Sequence, residues 1–119
     1  MNNRKENTIL IDSKKFVIRI IKLYQYLKEK QELVLSKQLL RSGTSIGANV
    51  RESINAQSSM DFVHKMNIAL KEGNETEYWL ELLYETGYID KIQFDSIYDD
   101  CGKIIGTLTK IIKTCKEKY

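Results

Sequence analysis

Proline is absent from the 119 residues, histidine occurs once and cysteine twice. Long periodic segments free of proline suit an all-helical fold, because proline removes a helix hydrogen bond and clashes with the preceding turn. The single histidine, His64, cannot furnish a histidine-rich metal cage, and the six glycines nowhere form the glycine-rich fingerprint of a phosphate-binding loop. Cys101 and Cys115 fall within one predicted helix, about 21 Å apart along its axis. No disulfide spans that distance, so the cysteines predict a reducing compartment. No stretch approaches the ~20 apolar residues of a membrane span. The polar run from Met1 to Glu6, followed by the short Ile9, Leu10, Ile11, does not make a signal-peptide core. The expectation is a cytoplasmic chain, neither secreted nor in a membrane.

What is present suffices for one core. With 42% hydrophobic and 29% charged residues, the chain reads as a single domain over residues 1–119 that needs neither disulfide nor metal. The net charge of +3 conceals a gradient: residues 1–30 carry eight Lys/Arg against three Asp/Glu, whereas residues 61–90 carry two against seven. Either neighbouring helices pair these charges, or the chain has two separate charged surfaces.

Apolar periodicity predicts four helices, over about 12–29, 32–57, 59–86 and 93–117. Asp12 or Ser13 can cap the first, whose apolar stripe is Phe16, Val17, Ile20, Leu23, Tyr24 and Leu27. The second has a thin inner face of Leu35, Leu39, Ser42, Ile46, Asn49, Val50 and Ser53. Gly43 and Gly47 beside it let a partner helix approach closely, and Arg41, Arg51 and Glu52 exclude a bilayer setting for that glycine pair. Ser58 with Asp61 approximates a capping box for the third helix, which carries Phe62, Met66, Ala69, Gly73, Thr76, Leu80 and Leu83 at alternating steps of four and three. Gly87 stops it. The fourth repeats the rhythm at Phe94, Ile97, Cys101, Ile104, Leu108, Ile111 and Cys115. Short connections force antiparallel neighbours, so the fold class is all-α, an up-down-up-down antiparallel four-helix bundle.

The third helix shows a second stripe, Ile68, Trp79 and Leu82, which also contains Glu72 and Glu75; Ile18 and Ile21 likewise point away from the core of the first helix. Exposed on a monomer, these five residues predict an oligomer interface. Candidate chemistry is sparse. Only Asp61-x-x-His64 has the spacing of a di-metal bundle ligand pair, and Ser58, Ser59 and the cysteines read as caps and core, so no metal, cofactor, small-molecule substrate or enzyme activity is expected. Lys15, Arg19, Lys22 and Tyr26 step by four, three and four along the first helix, a cationic row with an aromatic that suits phosphates and an unpaired base. Lys103, Lys110 and Lys113 form a looser row on the fourth helix.

The central run carries two motifs, Arg41 to Asn49 (RSGTSIGAN) and Ile68 to Glu72 (IALKE) with Glu75, Thr76 and Tyr78 to Leu80. In these it resembles the four-helix bundle proteins encoded by intervening sequences of 23S ribosomal RNA genes, also labelled S23 ribosomal proteins. That family is related to the accessory variability determinant of diversity-generating retroelements. The resemblance implies a small non-enzymatic bundle assembling as a homopentameric ring; the retroelement relatives bind nucleic acid and a reverse transcriptase. Physically, Arg41, Thr44, Ser45 and Asn49 facing Lys71, Glu72 and Glu75 have the makings of a hydrogen-bonded polar layer that fixes register between helices or subunits. The functional expectation is therefore a self-associating scaffold that presents its basic stripe many times over to RNA or a nucleoprotein. The alternative is a protein–protein interaction bundle with no nucleic-acid contact.

Overall fold

The computed structural model describes residues 4–118, with side chains described over residues 8–117. Met1 to Asn3 and Tyr119, part of the polar N-terminal run and of the predicted domain, lie outside the described residues. Four helices account for nearly all of the described chain: α1 (Arg4–Glu29), α2 (Leu35–Ile54), α3 (Ser59–Glu85) and α4 (Lys91–Lys118).

Their ends follow local chemistry. α1 starts eight residues before the predicted Asp12, and neither Asp12 nor Ser13 caps it. Buried Ile9 and Ser13 extend its inner stripe, with the Ser13 hydroxyl donating to the Leu10 carbonyl at 3.3 Å. Glu32, predicted as the first residue of α2, instead caps it. Its carboxylate accepts from the backbone N–H groups of Val34 (2.9 Å), Leu35 and Ser36 (3.4 Å), where the helix dipole favours negative charge. α3 begins as predicted, with the Ser58 hydroxyl accepting from the Asp61 N–H at 3.0 Å. Gly87, at φ +85°, then ends it: Tyr88 N–H bonds the Leu83 carbonyl and Gly87 N–H bonds the Tyr84 carbonyl. Asp90 and Gln93 cap each other's backbone N–H groups at 2.8 and 2.9 Å, so α4 starts at Lys91 rather than Gln93.

Each helix runs beside its sequence neighbours, and α4 closes the square against α1; the diagonal pairs α1/α3 and α2/α4 make no backbone contact. The result is the predicted bundle, 46 × 21 × 19 Å. Its core is built from the predicted stripes, with Phe16, Ile20, Leu39, Ile46, Met66, Leu80 and Leu108 shut from solvent. Gly43 and Gly47 receive α1. A Cβ on Gly43 would lie 2.7 Å from Ile20 Cγ2, and one on Gly47 2.7 Å from Val17 Cγ2. The square also decides between the two readings of the charge gradient. The basic first helix and the acidic third occupy opposite corners, so they form separate surfaces and do not neutralise one another within the chain.

Candidate nucleic-acid interface between α1 and α4

The predicted cationic row lies along the α1–α4 seam. Lys15 and Lys103 border a depression of about 240 Å³ floored by Phe16 and Ile104 and also edged by Asp12 and Asp100. One to three turns further along α1, Arg19, Lys22 and Tyr26 border a second of about 290 Å³, closed on the α4 side by Gln93 and Ile97. The antiparallel pairing of α1 and α4 thus unites five of the seven predicted residues, Lys15, Arg19, Lys22, Tyr26 and Lys103, along one seam. Lys110 and Lys113 are exposed further along α4 and line neither depression.

Two of these cations are engaged by the protein itself. The Arg19 guanidinium reaches Asp100 Oδ2 at 2.6 Å, the Ser96 hydroxyl at 2.9 Å and the Ser96 carbonyl at 3.3 Å, which makes it a latch between α1 and α4 rather than a free phosphate ligand. Ser96 and Asp100 sit one turn apart on α4, a pairing visible in the sequence only once α1 is known to lie beside it. Lys103 pairs with Asp99 at 3.1 Å. Lys15 and Lys22 have no ion pair within 4.0 Å to a described residue and remain available. Tyr26 packs its ring against the core, with Lys30 Nζ 5.1 Å from the ring centroid. Hydrogen bonding to Lys30, then to Gln93, draws its phenol below the usual tyrosine range.

The predicted polar layer divides. Arg41 does clamp α3, bonding Glu72 at 3.3 Å and also Glu75. Thr44, Ser45 and Asn49 do not cross to α3. Thr44 donates to its own helix at Leu40 (2.7 Å) and borders the α1–α2 groove, while Asn49 donates to the Ser45 carbonyl (2.9 Å). Lys71 is exposed and makes no ion pair to a described residue. The buried polar link between α2 and α3 is a different pair, the Ser42 and Thr76 hydroxyls at 2.8 Å. Both residues stood in the predicted seams, but helical spacing gives no sign that they meet.

A family model described as 23S rRNA-intervening sequence protein matches residues 5–110. The chain belongs to that family. A crystal structure of a protein of unknown function from the S23 ribosomal protein family of Bacteroides thetaiotaomicron VPI-5482 is 55% identical, superposes with a TM-score of 0.90, and is matched over 92% of this chain and 98% of that one. No curated protein matches the chain.

In this intervening-sequence protein the five predicted interface residues fall on two corners. Ile18 and Ile21 are exposed on α1, as expected. Ile68, Trp79 and Leu82 are half-buried, contrary to the expectation of an exposed stripe. Their flank of α3 adjoins α2, as the Arg41 bonds to Glu72 and Glu75 show, and Trp79 packs onto the core with its Nε1 shut from water and without an acceptor. The exposed aromatic of that helix is its neighbour Tyr78.

Titratable groups elsewhere in this family member serve the bundle. Burial pushes the Cys101 thiol up to about 12, with Glu77 and Asp100 adding to it, and its sulfur lies 3.6 Å from the Gly73 carbonyl. The Tyr98 phenol donates to Glu81 Oε2 at 2.6 Å and stacks on Phe94 at 4.6 Å, with Tyr84 on the far face of Phe94. That hydrogen bond, together with burial and the charge of Glu77, pushes the phenol up to about 12. Unfolded, it loses its proton near 10. The bond's contribution is therefore complete below about pH 10 and lost as pH rises through the folded value. Urea midpoints should fall between pH 10 and 12 more for the native chain than for Tyr98→Phe; equal slopes would mean the hydrogen bond contributes nothing. Among the described residues no three His, Cys, Asp or Glu side chains gather as a metal site, and no helix is long and apolar enough to cross a membrane.

Proposed function

We propose that this 23S rRNA-intervening sequence protein is a non-enzymatic, self-associating scaffold of the cytoplasm that contacts RNA along the α1–α4 seam. The observation that carries this reading is a pair of lysines without an ion pair to a described residue, Lys15 and Lys22, set two turns apart on one flank of α1 beside the half-buried ring of Tyr26. Two cations on one flank suit the phosphates of a single strand, and the tyrosine ring beside them offers a surface to a base. One seam binds weakly, because Asp12, Asp99 and Asp100 offset much of its charge. Repetition around a closed oligomer, the homopentameric ring that the family resemblance implies, converts weak contacts into useful affinity. Two buried, unbridged thiols suit a reducing compartment.

Salt-titrated binding to a single-stranded RNA tests the proposal. Affinity should fall steeply with salt. Lys15→Glu with Lys22→Glu should weaken binding at least about tenfold at low salt and flatten the salt slope by about 0.7 for each phosphate no longer neutralised. The internal pairing of Arg19 and Lys103 favours the second reading, a protein–protein interaction bundle. No binding at low salt would establish that reading over the first.

A further inference from the structure

One end of the α3–α4 seam collects three soft donor side chains. Met60, Val63, His64 and Asn67 recur at helical spacing on one face of the first turns of α3. Because α3 and α4 run antiparallel, that face meets the end of α4. The two enclose a depression of about 430 Å³, walled on the α4 side by Cys115 and Lys116. It shares no lining residue with the two depressions of the α1–α4 seam.

The bundle makes little use of two of these donors. Met60 is 84% exposed and His64 is exposed as well, so neither packs the core. Cys115 is largely buried and unbridged, and forms part of the wall of the depression. Cys101, four turns back along α4, differs: it lies in the core with its sulfur against the Gly73 carbonyl, and it lines none of these depressions.

The donor set discriminates among metals. A thioether binds only soft ions, thiolate and thioether together suit Cu(I), and imidazole suits copper too. Among the described residues no carboxylate lines the depression, so Ca²⁺ and Mg²⁺ find no charged oxygen ligand. A structural zinc site asks for four thiolate or imidazole donors, of which two are present. A blue-copper site asks for a second histidine, which the chain lacks. Three donors complete the shell of a trigonal Cu(I) ion. Met60 and His64 stand one turn apart on α3, about 6 Å along its axis, close enough for two exposed side chains to turn onto one ion. We propose that Met60 and His64 of α3 and Cys115 of α4 bind one Cu(I) ion per chain. The Cys115 thiol yields its proton to solvent as the sulfur takes the metal, and no electron is transferred. The Asn67 amide stays bonded to the Val63 carbonyl at 3.1 Å, and Lys116, the one formal charge of the lining, keeps its ammonium in water at the end of a long stem.

Anaerobic titration of the full chain with Cu(I), in competition with a coloured Cu(I) chelator, tests this; circular dichroism checks the fold of each variant. The native chain and Cys101→Ser should each take up one ion. Cys115→Ser should take up none, and His64→Ala and Met60→Leu, both at exposed positions that do not support the core, should each weaken binding at least about tenfold. X-ray absorption at the copper edge should show sulfur and imidazole together around the ion. Failure of the native chain to compete for Cu(I) would overturn the site. Native affinity in either His64→Ala or Met60→Leu would overturn it as well, since the metal would then sit on a bare thiol. Loss of binding in Cys101→Ser would place the metal elsewhere. RNA binding is measured separately, and none of these results bears on it.

Discussion

Phe16→Ala should cost about 3–5 kcal/mol, the range for emptying a large aromatic site in a core that relaxes only in part. Phe16 is 2% exposed and lies at the middle of α1, where it forms part of the floor of the α1–α4 depression and belongs to the main hydrophobic cluster. Two terms add. The substitution forfeits the burial of the ring, and the walls of the vacated space forfeit packing that neighbouring side chains cannot wholly recover without moving α1 toward α4. Against a net stability of about 5–15 kcal/mol for a domain, this leaves a chain partly unfolded under mild denaturing conditions. Urea denaturation followed by helical circular dichroism measures it. A loss of stability below about 1 kcal/mol would mean that the seam collapses onto the vacancy, so that α1 and α4 are not held apart by the rest of the bundle.

Gly43→Val has the second largest expected effect, about 2–3 kcal/mol, from the opposite fault of overpacking. The added Cβ would stand 2.7 Å from Cγ2 and 2.9 Å from Cγ1 of Ile20. Those atoms are the branch of a stiff, fully buried β-branched side chain and not the end of a flexible one, so the conflict is relieved only by moving α1 off α2. Gly43→Ala should cost less, since about 1 kcal/mol of helix propensity works in its favour. Gly106, on α4 with nothing within 4 Å of an added Cβ, supplies the control: Gly106→Ala should stabilise by that same amount. The cycle with Ile20→Ala isolates the steric part, because the double variant should recover stability relative to the sum of the singles. Strict additivity would show that α1 does not rest on Gly43.

The helix ends show how local chemistry limits a reading from periodicity. The apolar stripes gave the number of helices and the inner face of each, because burial on one side of a helix imposes a period of 3.6 residues whatever the neighbours are. Start points were less legible. Ser13 has the side chain of a cap yet sits in mid-helix, since Ile9 continues the stripe and the helix runs back to Arg4. Glu32 resembles a first-turn residue, but its carboxylate does more as a cap for the three N–H groups that follow. In both places a side chain had two compatible local roles; the burial of Ile9 decided the first, and the N–H groups within reach of the Glu32 carboxylate decided the second.

The candidate interface divides in the same way. The row Lys15, Arg19, Lys22 and Tyr26 was legible because all four lie on one helix, where spacing fixes the face. That Arg19 is engaged while Lys15 and Lys22 make no ion pair to a described residue was not, because the partners of Arg19, Ser96 and Asp100, lie on α4, far away in sequence. The polar layer was anticipated in kind and misplaced in detail. Arg41 does bridge to Glu72 and Glu75, but Thr44 and Asn49 turn back on their own helix, as hydroxyl and amide side chains do when a carbonyl one turn earlier is within reach.

The amino-acid sequence by itself determined four amphipathic helices, their antiparallel order, the glycine face prepared for a close neighbour and the segregation of basic and acidic charge, all properties set by spacing within single segments. Only the tertiary structure decided that α1 is the helix received by Gly43 and Gly47, that Ser42 meets Thr76, that Arg19 is a latch, and that the basic and acidic helices stand at opposite corners. Each of these is a relation between segments. Periodicity fixes which way a side chain faces on its own helix, but the rotation and offset of that helix against the others come from the side chains of all four meeting at once in the core.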